Sequence, residues 1–153
     1  MKPVLISACL LGCPCRYDGA SKAHPEALAL AREVELIPIC PEQMGGLPTP
    51  RPPAERRGDA VVTQEGGDVT VQYRRGGEEA VRMASLFGCE TAVLKERSPS
   101  CGCAGIYDGT FTRTLTSGEG AAAGMLRRSG VNVIGESQIK TWIKRREKTH
   151  ENQ

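Results

Sequence analysis

The sequence predicts an α/β protein built on an open, mainly parallel sheet with helices on both faces, a Rossmann-like three-layer arrangement. Three observations carry this expectation. Short apolar runs of strand type recur along the chain, amphipathic helical segments separate them, and the first two runs stop at a cysteine instead of turning back into a hairpin. Right-handed crossovers then cover the sheet on each side. With 153 residues, 39% of them hydrophobic and 25% charged, the chain has material for one packed domain and no room for a second. Residues 1–137 are expected to form that domain, and residues 138–153 a closing helix and basic tail belonging to it.

Val4 to Ala8 is the first strand-like run and ends at Cys9. The next stretch, Leu10-Leu-Gly-Cys-Pro-Cys-Arg-Tyr-Asp-Gly19, has turn chemistry. Pro25 to Glu33 is expected to be helical, with Ala27, Leu28, Leu30 and Ala31 as its apolar face. Glu35 to Ile39 is a second strand, stopped at Cys40-Pro41 because proline cannot donate to the ladder. Pro41 to Arg57 holds Pro41, Pro48, Pro50, Pro52 and Pro53 together with Gly45 and Gly46, which predicts a loop throughout. Ala60 to Thr63 and Asp68 to Val71 flank Gln-Glu-Gly-Gly as a small β-hairpin insertion would; alternatively, Asp68-Val-Thr opens the next helix as a cap.

From about Val71 to Phe87 the apolar positions Val71, Tyr73, Ala80, Val81, Ala84 and Leu86 sit among charges as on an amphipathic helix, and Gly88 supplies its stop. Thr91 to Leu94 is a third buried strand. A long loop then runs to Gly118, followed by a helix over Glu119 to Arg128, a strand over Val131 to Ile134 and a helix over Gln138 to Glu147.

Composition narrows the function before any motif does. The six aromatic residues are too few for a surface that stacks nucleobases, and the net charge of +2 favours no class of partner. The excess of Lys140, Lys144, Arg145, Arg146 and Lys148 near the end is first a solvated helical face and second a phosphate-binding patch. No apolar run is long enough to span a bilayer, and the opening residues do not form a signal peptide, so the chain is expected to be cytoplasmic. In that reducing compartment seven cysteines, an odd number, point to metal binding or thiol chemistry ahead of disulfides.

In an open parallel sheet, ligands bind beyond the carboxyl ends of the strands. Cys9 follows the first strand, Cys40 the second, and Cys101 lies in the loop after the third, so all three are expected at one rim. Converging thiolates suit structural zinc or an iron–sulfur cluster. Cys13-Pro-Cys15 and Cys101-Gly-Cys103 have poor spacing for a closed zinc site, whereas three well-separated ligands suit a cluster with one open iron. Glu42 shares a loop with Cys40, and Ser98 precedes Cys101 in a proline-stiffened turn; one can serve as base and the other as hydrogen-bond donor. Arg16, Asp18, Arg51, Glu55 and Asp108 lie on the same loops, where they either order a substrate or brace the site through ion pairs. Cys89, between a helix stop and a buried strand, is expected to be a plain core cysteine.

Several strings go further than composition and spacing. Ser7-Ala-Cys-Leu-Leu-Gly12, Cys15-Arg-Tyr-Asp-Gly19, Ile39-Cys-Pro-Glu42 with Gly45-Gly-Leu47 and Pro50-Arg-Pro-Pro53, and Leu94-Lys-Glu-Arg-Ser-Pro-Ser-Cys-Gly102 with Ile106-Tyr-Asp-Gly-Thr-Phe111 resemble the small bacterial thiouracil desulfidases, over nearly the whole chain to about Ser137. The resemblance implies a four-iron four-sulfur cluster on three cysteines, here Cys9, Cys40 and Cys101, with one iron not bound by protein. It implies sulfur removal from a thiolated pyrimidine such as 2-thiouracil, giving uracil and sulfide without net redox change. Glu42 and Ser98 fall on the family's catalytic pair, Glu42 activating water and Ser98 hydrogen-bonding the ring or relaying a proton. Among the remaining cysteines, Cys15 is the first substitute for one of the three ligands, ahead of Cys13 and Cys103.

Two other classes compete. In one, zinc or a closed cluster merely staples the loops of a non-catalytic module, and the identity of the bound metal separates it from the enzyme. In the other, the chain is an accessory protein for thiolated tRNA that uses its basic C-terminus, marked by salt-dependent RNA binding lost with the tail after Ser137. The sequence does not fix the oligomeric state.

Overall fold

The computed structural model describes residues 2–151 of the chain. Its centre is a four-stranded parallel sheet of β1 (Val4–Ser7), β2 (Leu36–Ile39), β5 (Thr91–Leu94) and β8 (Asn132–Gly135), in the order β2-β1-β5-β8. The two central strands carry no polar alternation: every residue of Val4–Ser7 and of Thr91–Leu94 is buried. That is the signature of strands covered on both faces.

The period-two alternation of a strand divides these residues between two core layers. Val4, Ile6, Val93 and Ile134 face one side, where they pack with Ala27 and Leu30 of α1 (Pro25–Leu30) and Ile139 of α5 (Ile139–Glu151). Leu5, Ala92 and Leu94 face the other, against Ala80 and Ala84 of α3 (Thr70–Phe87) and Ala122, Ala123 and Leu126 of α4 (Ala121–Arg128). Small residues on α3 and α4 let the two helices lie close together over the sheet. Gly88, in the left-handed region at φ 68, ends α3 as its position in the sequence predicts. No helix among the described residues is long and apolar enough to cross a membrane.

The loop expected over Pro41 to Arg57 contains two regular elements. Pro41 does not end regular structure but opens α2 (Pro41–Met44): a first-turn proline gives up only an N–H that has no helical partner there. Further on, β3 (Ala54–Arg57) pairs antiparallel with β4 (Ala60–Thr63) through a turn at Gly58-Asp59, Gly58 having φ 59. The small hairpin therefore exists, with its partner strand upstream. Downstream, Asp68 makes only an isolated bridge to Val62, and its Oδ1 then accepts the Thr70 N–H at the start of α3. The loop after β5 likewise contains a short antiparallel pair, β6 (Ile106–Tyr107) with β7 (Leu115–Thr116).

The helices α2 and α3 touch through their backbones. A Cβ on Gly45, just after α2, would fall 2.0 Å from the Gln72 carbonyl oxygen, and one on Gly76 would fall 1.9 Å from that of Pro41. Only glycine lets the two helices come this near. The consequence is that Tyr73 of α3 lies directly beneath the α2 side chains.

Candidate active site

The carboxyl ends of β1, β2 and β5 open into one cavity of about 580 Å³. Each strand delivers a cysteine to it by local means. Cys9 sits in the 3₁₀ turn Ala8–Leu11 that continues β1, and Cys40 is the N-cap of α2 directly after β2. Cys101 lies in the turn after β5, where Gly102 N–H donates to the Ser98 carbonyl at 2.8 Å. A fourth thiol, Cys15, lines the same cavity from the loop after β1. Cys9, Cys15 and Cys101 are all less than a tenth exposed.

The seven cysteines, all free thiols, thus divide sharply. Cys13 is exposed, and Cys103 does not line the cavity. Cys89 is buried in the core layer under α3 and α4.

Burial sets the protonation of the cavity thiols. Loss of water pushes Cys9 up to about 11, partly opposed by the nearby Lys95 ammonium. Cys101 is raised to about 12 by burial, only partly opposed by the neighbouring Ser7 and Ser100 hydroxyls. Cys15 is raised to about 12 by burial and by the neighbouring Cys40 and Cys9 thiols, the Cys15 proton being held toward Cys40. The Cys40 thiol also approaches the Cys15 carbonyl at 3.8 Å. Such thiols stay neutral until a metal displaces their protons. Soft sulfur donors are the ligand chemistry of iron–sulfur clusters and zinc. Here the thiols surround a cavity without converging on a point: among the described residues, no group of three His, Cys, Asp or Glu could hold a single metal ion. A cluster, which spreads its metal atoms over a larger body, fits this donor set better than one zinc.

Beside the thiols stands Glu42, and both of its oxygens are engaged. Oε1 accepts from Arg51 Nε at 3.1 Å and from the Tyr73 hydroxyl at 2.8 Å; Oε2 accepts from the Ser100 hydroxyl at 2.8 Å. Burial and the facing Glu42 carboxylate hold Tyr73 far above the ordinary phenol range, so its proton stays in that hydrogen bond. Ser98 Oγ accepts the backbone N–H groups of Ser100 and Cys101 at 3.2 and 3.1 Å and lies 3.0 Å from Ser100 Oγ. Ser100 has one hydroxyl hydrogen, and the Glu42 carboxylate, closer and charged, takes it in preference to Cys101 Sγ at 3.6 Å. Ser98 must then donate to Ser100. The result is a directed chain from Ser98 through Ser100 to Glu42.

The charged loop residues sort by geometry. Arg51 is 9% exposed and spends its donors within the protein, on Glu42, on Pro48 and Thr49, and on the Cys15 carbonyl at 2.9 Å. Glu55 Oε1 accepts the Gly109 and Phe111 N–H groups and so clasps the β6–β7 segment to β3. Asp18 and Asp108 do not line the cavity; each turns back on its own loop, to Ala20 N–H and to Thr110 respectively. Arg16 does line it, together with Lys22, Arg97 and Arg113, and none of these four has a carboxylate partner among the described residues. Lys95, also on the wall, pairs with Glu136 at 3.0 Å.

Sequence reasoning placed Arg16 of the cationic rim but missed Lys22, Arg97 and Arg113, and it missed Ser100 and Tyr73. Ser100 shares a Ser-Pro-Ser string with Ser98, and no signal in the sequence separates the two. Tyr73 looks like one more apolar position on α3, because its polar end is used only across the α2–α3 contact.

The chain is similar to known proteins over most of its length. The family model for 2-thiouracil desulfurase matches residues 4–138. The uncharacterized protein YbbK of Bacillus subtilis (strain 168) is 37% identical over 146 residues, 89% of this chain and 97% of that protein. The solved structure of a [4Fe-4S]-dependent thiouracil desulfidase, TudS, superimposes with a TM-score of 0.88 at 47% identity, covering 92% of this chain and 95% of that one.

Proposed function

The chain belongs to the 2-thiouracil desulfurase family, and from that premise we propose that it is an iron–sulfur-dependent desulfidase that converts a thiolated pyrimidine such as 2-thiouracil to the oxo-pyrimidine and sulfide. The observation that carries this reading is the meeting, in one cavity, of the cysteine thiols with the Ser98–Ser100–Glu42 hydrogen-bond chain. Cys9, Cys40 and Cys101 would hold the four-iron four-sulfur cluster, each from the end of a different strand. When bound, such a cluster supplies a Lewis-acidic iron without a protein ligand that polarises the C–S bond.

The remaining work falls to this chain's own groups. Water adds to the ring carbon that bears sulfur, so oxygen replaces sulfur and no electrons are gained or lost. Glu42 takes the proton of that water. Arg51 and Tyr73 fix the carboxylate from behind through Oε1, so the group that accepts the proton does not have to be ordered during the reaction. Ser98 faces the ring and moves a proton between it and Glu42 through Ser100. Ser100 is thereby a positioning residue that joins the catalytic pair. With seven free thiols in the chain, a reducing cytoplasm is the compartment that suits it.

A second reading concerns the size of the substrate. The unpaired Arg16, Lys22, Arg97 and Arg113 suit a thiolated base that carries phosphate, including thiolated RNA. Binding of such a substrate would weaken steeply with salt, whereas binding of the free base would not.

The test is anaerobic purification followed by iron and sulfide analysis and reaction with 2-thiouracil in heavy-oxygen water. The expected result is a brown protein that releases sulfide and places solvent oxygen in uracil. A colourless zinc protein, or a loaded cluster inert toward every thiolated pyrimidine and thiolated RNA tried, would refute the proposal.

A further inference from the structure

The opposite end of the sheet carries a second cavity that the proposed chemistry does not use. It has a volume of about 360 Å³ and lies beneath the amino ends of β1 and β5, lined there by Lys2, Pro3 and Val4 and by Glu90 and Thr91. Its other wall is one face of α5, where Trp142, Arg145, Arg146, Thr149 and His150 recur at helical spacing. We propose that this basal groove binds the phosphate group of a small phosphomonoester. The site stands apart from the desulfidase reading and does not depend on it.

Charge argues for an anion. Three fixed cations, Lys2, Arg145 and Arg146, line the groove against one carboxylate, that of Glu90. None of the three has a carboxylate partner among the described residues, although Lys140 on the same helix pairs with Glu26 at 3.2 Å. Unpaired like charges repel one another, and an anion placed among them removes that cost. Three cations less one carboxylate leave two positive charges. A phosphomonoester, with about −1.5 to −2 at neutral pH, matches that excess. A phosphodiester linkage, with a single charge, does not.

Geometry argues for a small one. The Arg146 guanidinium carbon lies 4.6 Å from the centroid of the Trp142 ring, and that ring is half-buried and packed against the core. Arg146 is therefore held in place before any ligand arrives, with N–H groups suited to phosphate oxygens. The volume falls within the range of about 300–1,000 Å³ typical of small-molecule sites. A membrane surface fits poorly, because Ile139, Trp142 and Ile143 pack against the core and leave α5 without an apolar outer face.

Trp142 is the only tryptophan of the chain, so its fluorescence reports this groove and not the cavity at the other end of the sheet. Adenosine monophosphate and inorganic phosphate are titrated separately into the anaerobically purified full-length protein. Both are expected to change the emission saturably, to compete with each other and to bind more weakly as salt rises. Equal affinities would show that the phosphate group alone is recognised, and tighter binding of the nucleotide that its nucleoside adds contacts; both outcomes support the site. Arg145→Gln is expected to weaken binding at least about tenfold, the lower end of what losing a hydrogen bond to a charged group costs. Glu90→Gln, which removes the one carboxylate of the lining, is expected to tighten it. Both side chains are exposed, so neither change disturbs the core. Arg113→Ala, at the rim of the other cavity, is expected to leave the titration unchanged. No saturable change in wild type, or equal affinities in wild type, Arg145→Gln and Glu90→Gln, overturns the proposal. Loss of the response in Arg113→Ala also overturns it, because the phosphate would then sit in the cavity of Glu42 and the thiols. A response to an RNA oligonucleotide without terminal phosphates, where adenosine monophosphate has no effect, overturns it in favour of a nucleic-acid surface. None of these failures touches the desulfidase reading.

Discussion

The two walls of the cavity are built on different principles. The inner wall, made of Cys9, Cys15, Cys40, Cys101, Glu42 and Ser100, grows from the ends of the parallel strands and from α2, and the Glu42 carboxylate and Ser100 hydroxyl on it are fully engaged by protein partners. The outer wall comes from the β3–β4 hairpin and the loop that carries β6 and β7. It is half-buried to exposed, its cavity-facing cations Arg97 and Arg113 have no carboxylate partner among the described residues, and Arg97, Phe111 and Arg113 adopt positive φ values of 67, 58 and 57. Rigid, satisfied groups suit bond-making, where misplacement is costly. Exposed, unpaired groups suit recognition, because water and salt can compete for them until a substrate arrives. On the proposed function, the inner wall would set the reaction rate and the outer one the substrate preference.

The largest expected effect comes from removing the support of the inner wall. Arg51→Ala leaves Glu42 partly buried beside a cavity and frees the Cys15 carbonyl, so it is expected to cost about 3–5 kcal/mol of stability, read by denaturant titration of the metal-free protein. An outcome within experimental error of wild type would mean that Arg51 is not the brace. Ser100→Ala breaks the chain between Ser98 and Glu42 while leaving every cysteine. The lost charge-assisted hydrogen bond, about 1.5–3 kcal/mol, should appear as a fall of about 10- to 150-fold in kcat at unchanged KM and iron content. An equal change in KM would place Ser100 in substrate binding instead.

Stability against acid probes the other edge of the inner wall. Glu136 is pushed up by burial, but the Glu96 N–H and the Lys95 ammonium outweigh that and hold its carboxyl below the usual range. Its contribution is therefore complete above the unfolded value of about 4.3 and disappears as pH falls through the lower folded value. Metal-free protein should lose about 1 kcal/mol over that window, and Glu136→Gln should flatten the profile; an unchanged profile would count against the pairing. The smallest effect belongs to the outer wall. Arg113→Ala should raise KM severalfold at low salt, an effect under about 1 kcal/mol for an exposed cation, with kcat retained. A loss of kcat equal to that of Ser100→Ala would erase the distinction between the walls.

The same contrast explains what the sequence disclosed. Cys9 and Cys40 could be placed because each directly follows an apolar strand, and parallel strands carry their ends to a common rim. Glu42 and Ser98 followed from their cysteines. Tyr73 could not be placed, since its contact with Glu42 exists only where Gly45 and Gly76 bring α2 against α3. Asp18 and Asp108 looked like site residues because they are charged and lie in the right loops. Their carboxylates instead close local turns, which short-range hydrogen bonding makes available to any Asp in such a loop. The outer wall was illegible for the same reason that it suits recognition: it lacks the apolar periodicity that reports burial.

The most direct test of the account is a comparison of wild type and Glu42→Ala purified anaerobically to equal iron and sulfide content. The prediction is that both carry the same cluster spectrum, and that Glu42→Ala makes uracil from 2-thiouracil about 100- to 10,000-fold more slowly. Wild-type rates from a fully loaded Glu42→Ala protein would contradict the claim that this wall does the chemistry.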